Sequence, residues 1–188
     1  MDAADKVVLD RDGVARAVVR MAHEIVERNT DPQSPLAIVG IHRRGVHIAS
    51  RLHAQVAELV AVPVSLGSLD ISFHRDDLGR LPLAPVVHAT AIGFALDAAT
   101  VVIVDDVLFT GRTVRAAIDA LFEYGRPARV QLAVLVDRGH RELPIRPDYV
   151  GKNLPSALSE RVNVRVAELD GTDQVTIGVV AAHTEVAS

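Results

Sequence analysis

One segment, Val104 to Thr113, constrains the fold of this chain more than any other. It ends an apolar run, 100–104, that predicts a fully buried parallel strand, and it opens a stretch with the apolar spacing of a helix. Between them lie two acids and a Thr-Gly-Arg-Thr loop. Main-chain N–H groups at a helix N-terminus attract an anion, and adjacent carboxylates suit the hydroxyls of a ribose. The segment therefore predicts a strand, loop and helix that bind a sugar phosphate.

The rest of the chain alternates predicted strands and helices. Helices are predicted at 11–28, with Asp10 as the N-cap, and at 46–60. Strands are predicted at 36–41, 63–73, 86–94, 130–136, 162–166 and 175–179, while 74–85 and 138–155 predict loops. This alternation predicts a doubly wound α/β fold, with a mostly parallel sheet flanked by helices. A length of 188 residues suits a single domain.

Composition narrows the classes of function. The chain has no cysteine, which excludes disulfides and cysteine metal ligands. Its formal net charge of −4 disfavours a protein that coats nucleic acid without specificity, but it allows a local basic surface. No apolar run approaches the length of a membrane span, and the first residues have no leader pattern. We therefore expect a cytoplasmic protein without a membrane partner.

Further loops follow the other predicted strands, where the crevice of a doubly wound sheet binds ligands. The loop after 36–41 contains Arg43 and Arg44, which can bind a pyrophosphate through charge and paired hydrogen bonds. A surface turn with solvated arginines is the alternative. The long loop that contains Arg75 predicts a lid over the site, and a solvated hairpin tip is its alternative.

The segment 104–113 resembles the signature of the type I phosphoribosyltransferases, which bind 5-phosphoribosyl 1-pyrophosphate (PRPP). Three more segments, 22–29, 70–78 and 131–153, resemble one branch of that superfamily, the pyrimidine operon regulators with uracil phosphoribosyltransferase activity. The similarity runs from about Lys6 to Val180. The string Val136 to Pro144 is specific to this branch, because other phosphoribosyltransferases do not share it.

The resemblance implies an enzyme that converts uracil and PRPP to uridine monophosphate (UMP) and pyrophosphate. Mg²⁺ would be held mainly by PRPP oxygens, with no metal site made by the protein alone. A small hood, formed by about 138–163 and the chain terminus, would cover the site. Purine enzymes place a carboxylate where this chain has Phe109, which favours a pyrimidine substrate.

The resemblance also implies a role for each site residue. Asp105 and Asp106 would orient the ribose, and Arg43, Arg44 and Arg75 would stabilise the departing pyrophosphate. Tyr149 would stack on the base, and a packing role is the alternative. The residues implied to bind PRPP or UMP are Val107, Leu108, Phe109, Thr110, Gly111, Arg112, Thr113, Asp137, Tyr149 and Val150.

Members of this branch also bind the messenger RNA leader of a pyrimidine operon in response to UMP or UTP. The residues implied to contact RNA are Arg16, Arg20, His23, Arg28, His140, Arg141, Arg146 and Lys152. A solvated helix face beside a catalytic hood explains the same residues. The alternative functions are an RNA-binding regulator with little catalysis and a phosphoribosyltransferase for another base. A homodimer or a larger homo-oligomer is expected from the resemblance.

Overall fold

A computed structural model describes residues 5–31, 34–72, 74 and 88–179. The helices and strands of these residues are β1 Lys6–Leu9, α1 Arg11–Arg28, β2 Leu36–Ile41, α2 Arg44–Leu59, β3 Val64–Leu69, β4 Thr100–Leu108, α3 Arg112–Phe122, β5 Arg129–Asp137, β6 Tyr149–Asn153, β7 Glu160–Arg165, α4 Ala167–Asp170 and β8 Gln174–Val179. Within the described residues, no helix is long and apolar enough to cross a bilayer.

Five strands form a parallel sheet in the order β3-β2-β4-β5-β6. Helices α1 and α2 pack on one face of this sheet, and α3 packs on the other. The predicted doubly wound α/β fold is therefore confirmed. The chain builds outward from β2 to β3 and then returns to place β4 on the other side of β2. A crevice opens at such a reversal, between the carboxyl ends of β2 and β4.

Local signals predicted α1 correctly. The side chain of Asp10 accepts a hydrogen bond of 2.8 Å from the N–H of Gly13, which satisfies one of the free donors of the first turn. The buried face of the helix repeats at intervals of three and four residues and includes Val14, Val18, Ala22 and Ile25. The helix thus covers the sheet with a continuous apolar stripe.

A second, antiparallel sheet of β1, β8 and β7 lies beside the main sheet and shares its core on the side of α1 and α2. We call this sheet together with α4 the hood. The hood includes β1, from the start of the chain, which the sequence did not indicate. Strand β6 pairs with β5 in the main sheet, although it fell within the loop predicted at 138–155. Its sequence, with a glycine, a lysine and an asparagine, has no apolar pattern to reveal a strand.

Two other predictions fall around the segment before β4. The strand predicted at 86–94 is wrong for the described part, where only Ala91 forms a bridge, with Ser68 of β3. His74 is described, and its Nε2 lies 3.0 Å from Glu123 Oε1. The rest of the predicted lid, including Arg75, lies outside the described residues. The organisation as a single domain stays a prediction.

Candidate active site

The two adjacent acids lie where β4 extends beyond its neighbour. Strand β4 pairs with β2 as far as Val104 and then continues beside β5 to Leu108. Asp105 is buried, and its Oδ1 accepts 2.9 Å from the N–H of Asp106. Asp106 is half-buried, and its Oδ1 accepts 3.0 Å from the N–H of Val107. Main-chain donors thus fix both carboxylates at the mouth of the crevice.

The loop after β4 turns sharply into α3. Gly111 has φ +94 and ψ −6, a left-handed conformation that glycine adopts without steric cost, and it is the N-cap of α3. The segment after β5 fixes the preceding loop. The carbonyl of Thr110 accepts hydrogen bonds of 3.0 Å from the N–H of Glu142 and 3.2 Å from the N–H of Leu143. The first N–H groups of α3 have no carbonyl partner within the helix, and the sequence predicts that they bind an anion.

The side chains of this segment lie in different environments. Leu108 is fully buried in the core on the side of α3, so only its main chain is accessible to a ligand. Val107 packs against the opposite core. Thr110 and Thr113 are half-buried, and Arg112 is exposed with its Nε 2.8 Å from Glu142 Oε2. The hydroxyls, the main-chain amides and Arg112 are the groups that suit a phosphate.

The loop after β2 faces these acids across the crevice. Gly45 lies directly against β4, where a Cβ would stand 2.5 Å from the carbonyl oxygen of Val104. A side chain at this position would push the start of α2 away from Asp105. Arg43 is exposed at the mouth of the crevice. Arg44 instead donates to Asp170 of the hood, from Nε at 3.2 Å and from Nη2 at 2.8 Å.

Histidines lie behind the loop that carries Arg43. The ring of His42 stacks on that of His88, with centroids 4.7 Å apart and an interplanar angle of 4°. Burial and the neighbouring His88 lower the pKa of His42 below its ordinary value, while Asp70 acts in the opposite direction. The carboxylate of Asp70 links the end of β3 to His88, since it accepts hydrogen bonds from Ser72 and from the N–H of His88.

The segment after β5 binds the phosphate loop through Arg141. The guanidinium donates from Nε to Ile145 O at 3.0 Å, from Nη1 to Phe109 O at 2.8 Å and to Gly139 O at 3.2 Å, and from Nη2 to Asp137 at 2.5 Å. Four of the five N–H groups of the side chain are thus used inside the protein. These contacts give Arg141 an internal role, and its predicted contact with RNA stays a prediction.

Asp137 is also occupied internally. One carboxylate oxygen accepts 3.0 Å from the N–H of Gly139, and the other accepts from Arg141. The Asp137 side chain is thus a partner of Arg141, and its expected role as a substrate ligand stays a prediction.

Arg138 contacts the phosphate loop, although the sequence predicted no role for it. It is 8% exposed, and its guanidinium lies 4.2 Å from the centre of the Phe109 ring. The same side chain donates to Ser156 Oγ at 3.1 Å, Ala157 O at 3.0 Å and Glu160 O at 2.9 Å. It therefore joins the start of β7 to the phosphate loop. Its position directly after a strand end was the available signal.

The prediction that Tyr149 stacks on a base is wrong. The ring is fully buried, and its hydroxyl donates 3.1 Å to Gln131 Oε1 and accepts 3.1 Å from Asn29 Nδ2. Tyr149 begins β6 opposite Ala133, four residues before the pair of Asp137 with Asn153 that marks the carboxyl end. A strand rises about 3.3 Å per residue, so the ring lies roughly 13 Å from the crevice.

The predicted RNA residues surround the edge strand β6. On one side, Arg16, Arg20, His23 and Arg28 are exposed on α1. Arg20 donates to the carbonyls of Val150 and Gly151 at 3.0 and 2.6 Å, and Arg28 lies beside Asp148 and the Tyr149 ring. Val150 packs against the core on the side of α3, so alternation places exposed Lys152 on that side too.

Besides Arg141, two predicted RNA residues belong to the segment after β5. Arg146 is exposed, next to Ile145, which packs against the core on the side of α3. His140 is exposed as well, and its Nε2 contacts the carbonyl of Ser156. Of these residues, Arg20 contacts β6 directly, whereas His140 lies beside the segment between β6 and β7.

A metal site made by the protein alone needs several carboxylates or histidines grouped together. Within the described part of the chain, no group of three or more such residues is arranged to hold a metal ion. The carboxylates of Asp105 and Asp106 lie at the end of β4, just before the predicted phosphate loop. This donor set fits a hard cation that takes most of its ligands from a bound substrate and water.

Comparison with known proteins agrees with this geometry. Residues 6–169 match the family model described as the phosphoribosyl transferase domain. A bifunctional protein PyrR from Roseiflexus sp. is 57% identical over 167 residues, which cover 89% of this chain and 91% of that protein. A protein of the same name from Deinococcus deserti is 54% identical over 177 residues, covering 94% of this chain and 96% of that protein.

Solved structures share the fold at low identity. The hypoxanthine phosphoribosyltransferase of Trypanosoma cruzi superposes with a TM-score of 0.70 at 18% identity, covering 95% of this chain and 98% of that protein. At such identity the likeness concerns the fold alone. The family match and the two relatives extend over most of the chain, and with the paired aspartates beside the Gly111 loop they assign it to the PyrR family of phosphoribosyltransferases.

Proposed function

We propose that this PyrR-family enzyme transfers the phosphoribosyl group of PRPP to uracil and binds a pyrimidine-operon messenger RNA in response to UMP. The observation that carries the catalytic part is the position of Asp105 and Asp106, held by main-chain donors between the Gly111 loop and the loop of Arg43. The 5′-phosphate, the ribose and the pyrophosphate of PRPP would then each contact a different group of protein residues within one crevice.

Each group has a defined task in the transfer. The amides and hydroxyls of the loop 109–113 bind the 5′-phosphate, and Asp105 and Asp106 accept from the ribose hydroxyls. The bond from the anomeric carbon to pyrophosphate breaks, N1 of uracil bonds to that carbon, and the N1 proton is released. Arg43 faces the charge that builds on the leaving pyrophosphate. Positioning and electrostatics supply most of the acceleration.

Mg²⁺ accompanies PRPP in this proposal, and the half-buried carboxylate of Asp106 is a protein group that could contact it. When bound, the ion neutralises part of the pyrophosphate charge. Arg75 remains a proposed ligand of pyrophosphate from outside the described residues.

Phe109 supports the choice of a pyrimidine. Its ring packs beneath Arg138 and edge-on to His140, with centroids of the two rings 6.1 Å apart. An aromatic ring at this place can neither donate a proton to the nucleobase nor accept one from it. Uracil needs less help of this kind, because its N1–H is comparatively acidic.

The basic residues that border β6 support the RNA-binding part. Arg16, Arg28, Arg146 and Lys152 are exposed on both sides of this strand. Such side chains bind phosphates, while RNA bases are usually read in loops and bulges. The dimer or larger homo-oligomer expected from the resemblance stays part of the proposal.

Two measurements test the proposal. Purified protein with PRPP and Mg²⁺ is expected to convert uracil to UMP and to leave hypoxanthine and guanine unchanged. Preference for a purine would contradict the substrate assignment. A filter-binding titration with the leader of a pyrimidine-operon transcript, with and without UMP, tests the regulation. Equal RNA affinity in both titrations would mean that the two sites are not coupled.

A further inference from the structure

We propose that Arg141 is a positioning residue of the PRPP site, which sets the direction of the amides that bind the 5′-phosphate. The side chain lies behind the loop and not in the crevice. Its guanidinium is anchored by Asp137 and donates to the carbonyl of Phe109 at 2.8 Å and towards that of Leu108 at 3.5 Å. The RNA part of the test below rests on the proposed function, while the PRPP part needs only the enzyme.

The peptide geometry explains how a contact behind the loop acts in front of it. In a planar trans peptide, the C=O and the following N–H point in opposite directions. Because Arg141 binds the carbonyl of Phe109, the N–H of Thr110 points away from Arg141. The N–H groups of Glu142 and Leu143 bind the carbonyl of Thr110, so the N–H of Gly111 is directed away from that segment as well. Two successive amides are thus held ready for an anion.

Removal of the guanidinium affects this arrangement specifically. The carbonyl of Phe109 loses its donor, and the half-buried carboxylate of Asp137 loses its ion pair, with side-chain exposure of only 16%. The peptide between Phe109 and Thr110 is then free to rotate. The 5′-phosphate does not react, so it contributes similar binding to the substrate and the transition state. Loss of its amides raises KM for PRPP more than it lowers kcat.

The test uses full-length Arg141→Gln and Arg141→Lys, with Arg126→Gln as the control. Arg126 is exposed after α3, before β5, and has the same change of charge. For Arg141→Gln we expect KM for PRPP and Kd for UMP to rise about tenfold, which corresponds to about 1.4 kcal/mol, while kcat changes by less than about threefold. Lysine keeps the ion pair with Asp137 but lacks the several N–H donors of the planar guanidinium. Arg141→Lys is therefore expected to recover part of the lost affinity for PRPP and UMP.

A purely structural role gives a different pattern. It lowers the unfolding temperature of the ligand-free protein and leaves KM and Kd unchanged, and this result would overturn the proposal. If Arg141→Gln does not fold, Arg141→Lys decides alone, and wild-type values of KM and Kd for that variant would also overturn it.

RNA binding separates positioning from direct contact. With UMP at a saturating concentration for the variant, we expect Arg141→Gln to bind the leader RNA as tightly as the wild type. Weaker RNA binding at saturation, with unchanged affinity for UMP, would make Arg141 an RNA ligand and refute the proposal. If the wild type binds no RNA, the proposed regulation fails, and the values for PRPP and UMP still decide the role of Arg141.

Discussion

Arg44, at the start of α2, forms a two-point ion pair with Asp170, at the end of α4 in the hood. The charged partner lowers the pKa of the Asp170 carboxyl below its ordinary value. Arg43, the preceding residue, is exposed at the mouth of the crevice. The two arginines that resemble one pyrophosphate-binding pair therefore have different surroundings, because Asp170 takes two of the five N–H groups of Arg44.

This difference predicts separate effects of the two arginines. Arg43→Gln is expected to raise KM for PRPP about tenfold, because a charge-assisted contact with pyrophosphate is lost. Arg44→Gln is expected to lower the free energy of unfolding by about 1 kcal/mol or less, since its ion pair is partly exposed. Steady-state kinetics and urea unfolding of both variants measure the two quantities. Equal rises of KM would place both arginines on pyrophosphate.

Asp106→Asn tests the ribose contact. The amide keeps the shape of the side chain but weakens its hydrogen bonds to hydroxyls, so we expect kcat/KM to fall about 10- to 100-fold. Asp119→Asn, on the exposed face of α3, is the matched control, and its kcat/KM should equal that of the wild type. A wild-type kcat/KM for Asp106→Asn would remove this residue from the site.

Tyr149→Phe tests the corrected role of the tyrosine. Loss of the hydroxyl leaves Gln131 and Asn29 without one partner in a buried place, and the free energy of unfolding should fall by about 1 kcal/mol. KM for uracil should stay unchanged, because the ring lies far from the crevice. A clear rise in this KM, with stability intact, would restore the stacking role.

His42 predicts a dependence of stability on pH. Its pKa is lower in the folded protein than in the unfolded chain, so the unfolded state binds the proton more readily. The stabilising contribution is present above the unfolded pKa of about 6.5 and is lost as the pH falls through the folded pKa. Urea unfolding at about pH 7.5 and about pH 5.5 should show a smaller decline for His42→Asn than for the wild type. Equal declines would contradict this expectation.

Lys152→Gln tests the surface around β6. We expect weaker binding of the leader RNA, because one phosphate contact is lost. The slope of the logarithm of the binding constant against the logarithm of salt concentration should become smaller in magnitude by about one. Turnover of uracil should be retained. Lys6→Gln, on β1 of the hood, serves as the control for removing a lysine. The same slope for the wild type and Lys152→Gln would exclude this lysine from the RNA contact.

Short-range features could be predicted from the sequence because their causes lie within a few residues. Asp10 caps α1 through a contact three residues away, and the apolar stripe of that helix follows its own period. The segment 104–113 likewise contains its strand, acids, glycine and helix start in one continuous stretch. The parallel sheet followed from the alternation of such units. The branch of the superfamily came from resemblance, and the family match is confirmed by the relatives.

Side-chain roles that depend on distant partners were decided by the tertiary structure. Arg44 and Asp170 are separated by 126 residues, and no local pattern relates them. Tyr149 looked like a loop residue, but β5 and α1 enclose it because β6 completes the edge of the sheet. Arg141 looked like a surface charge until its segment folded back on the phosphate loop. Charged and aromatic side chains have similar sequence signals in either setting, and only the groups that surround them distinguish a ligand contact from a structural one.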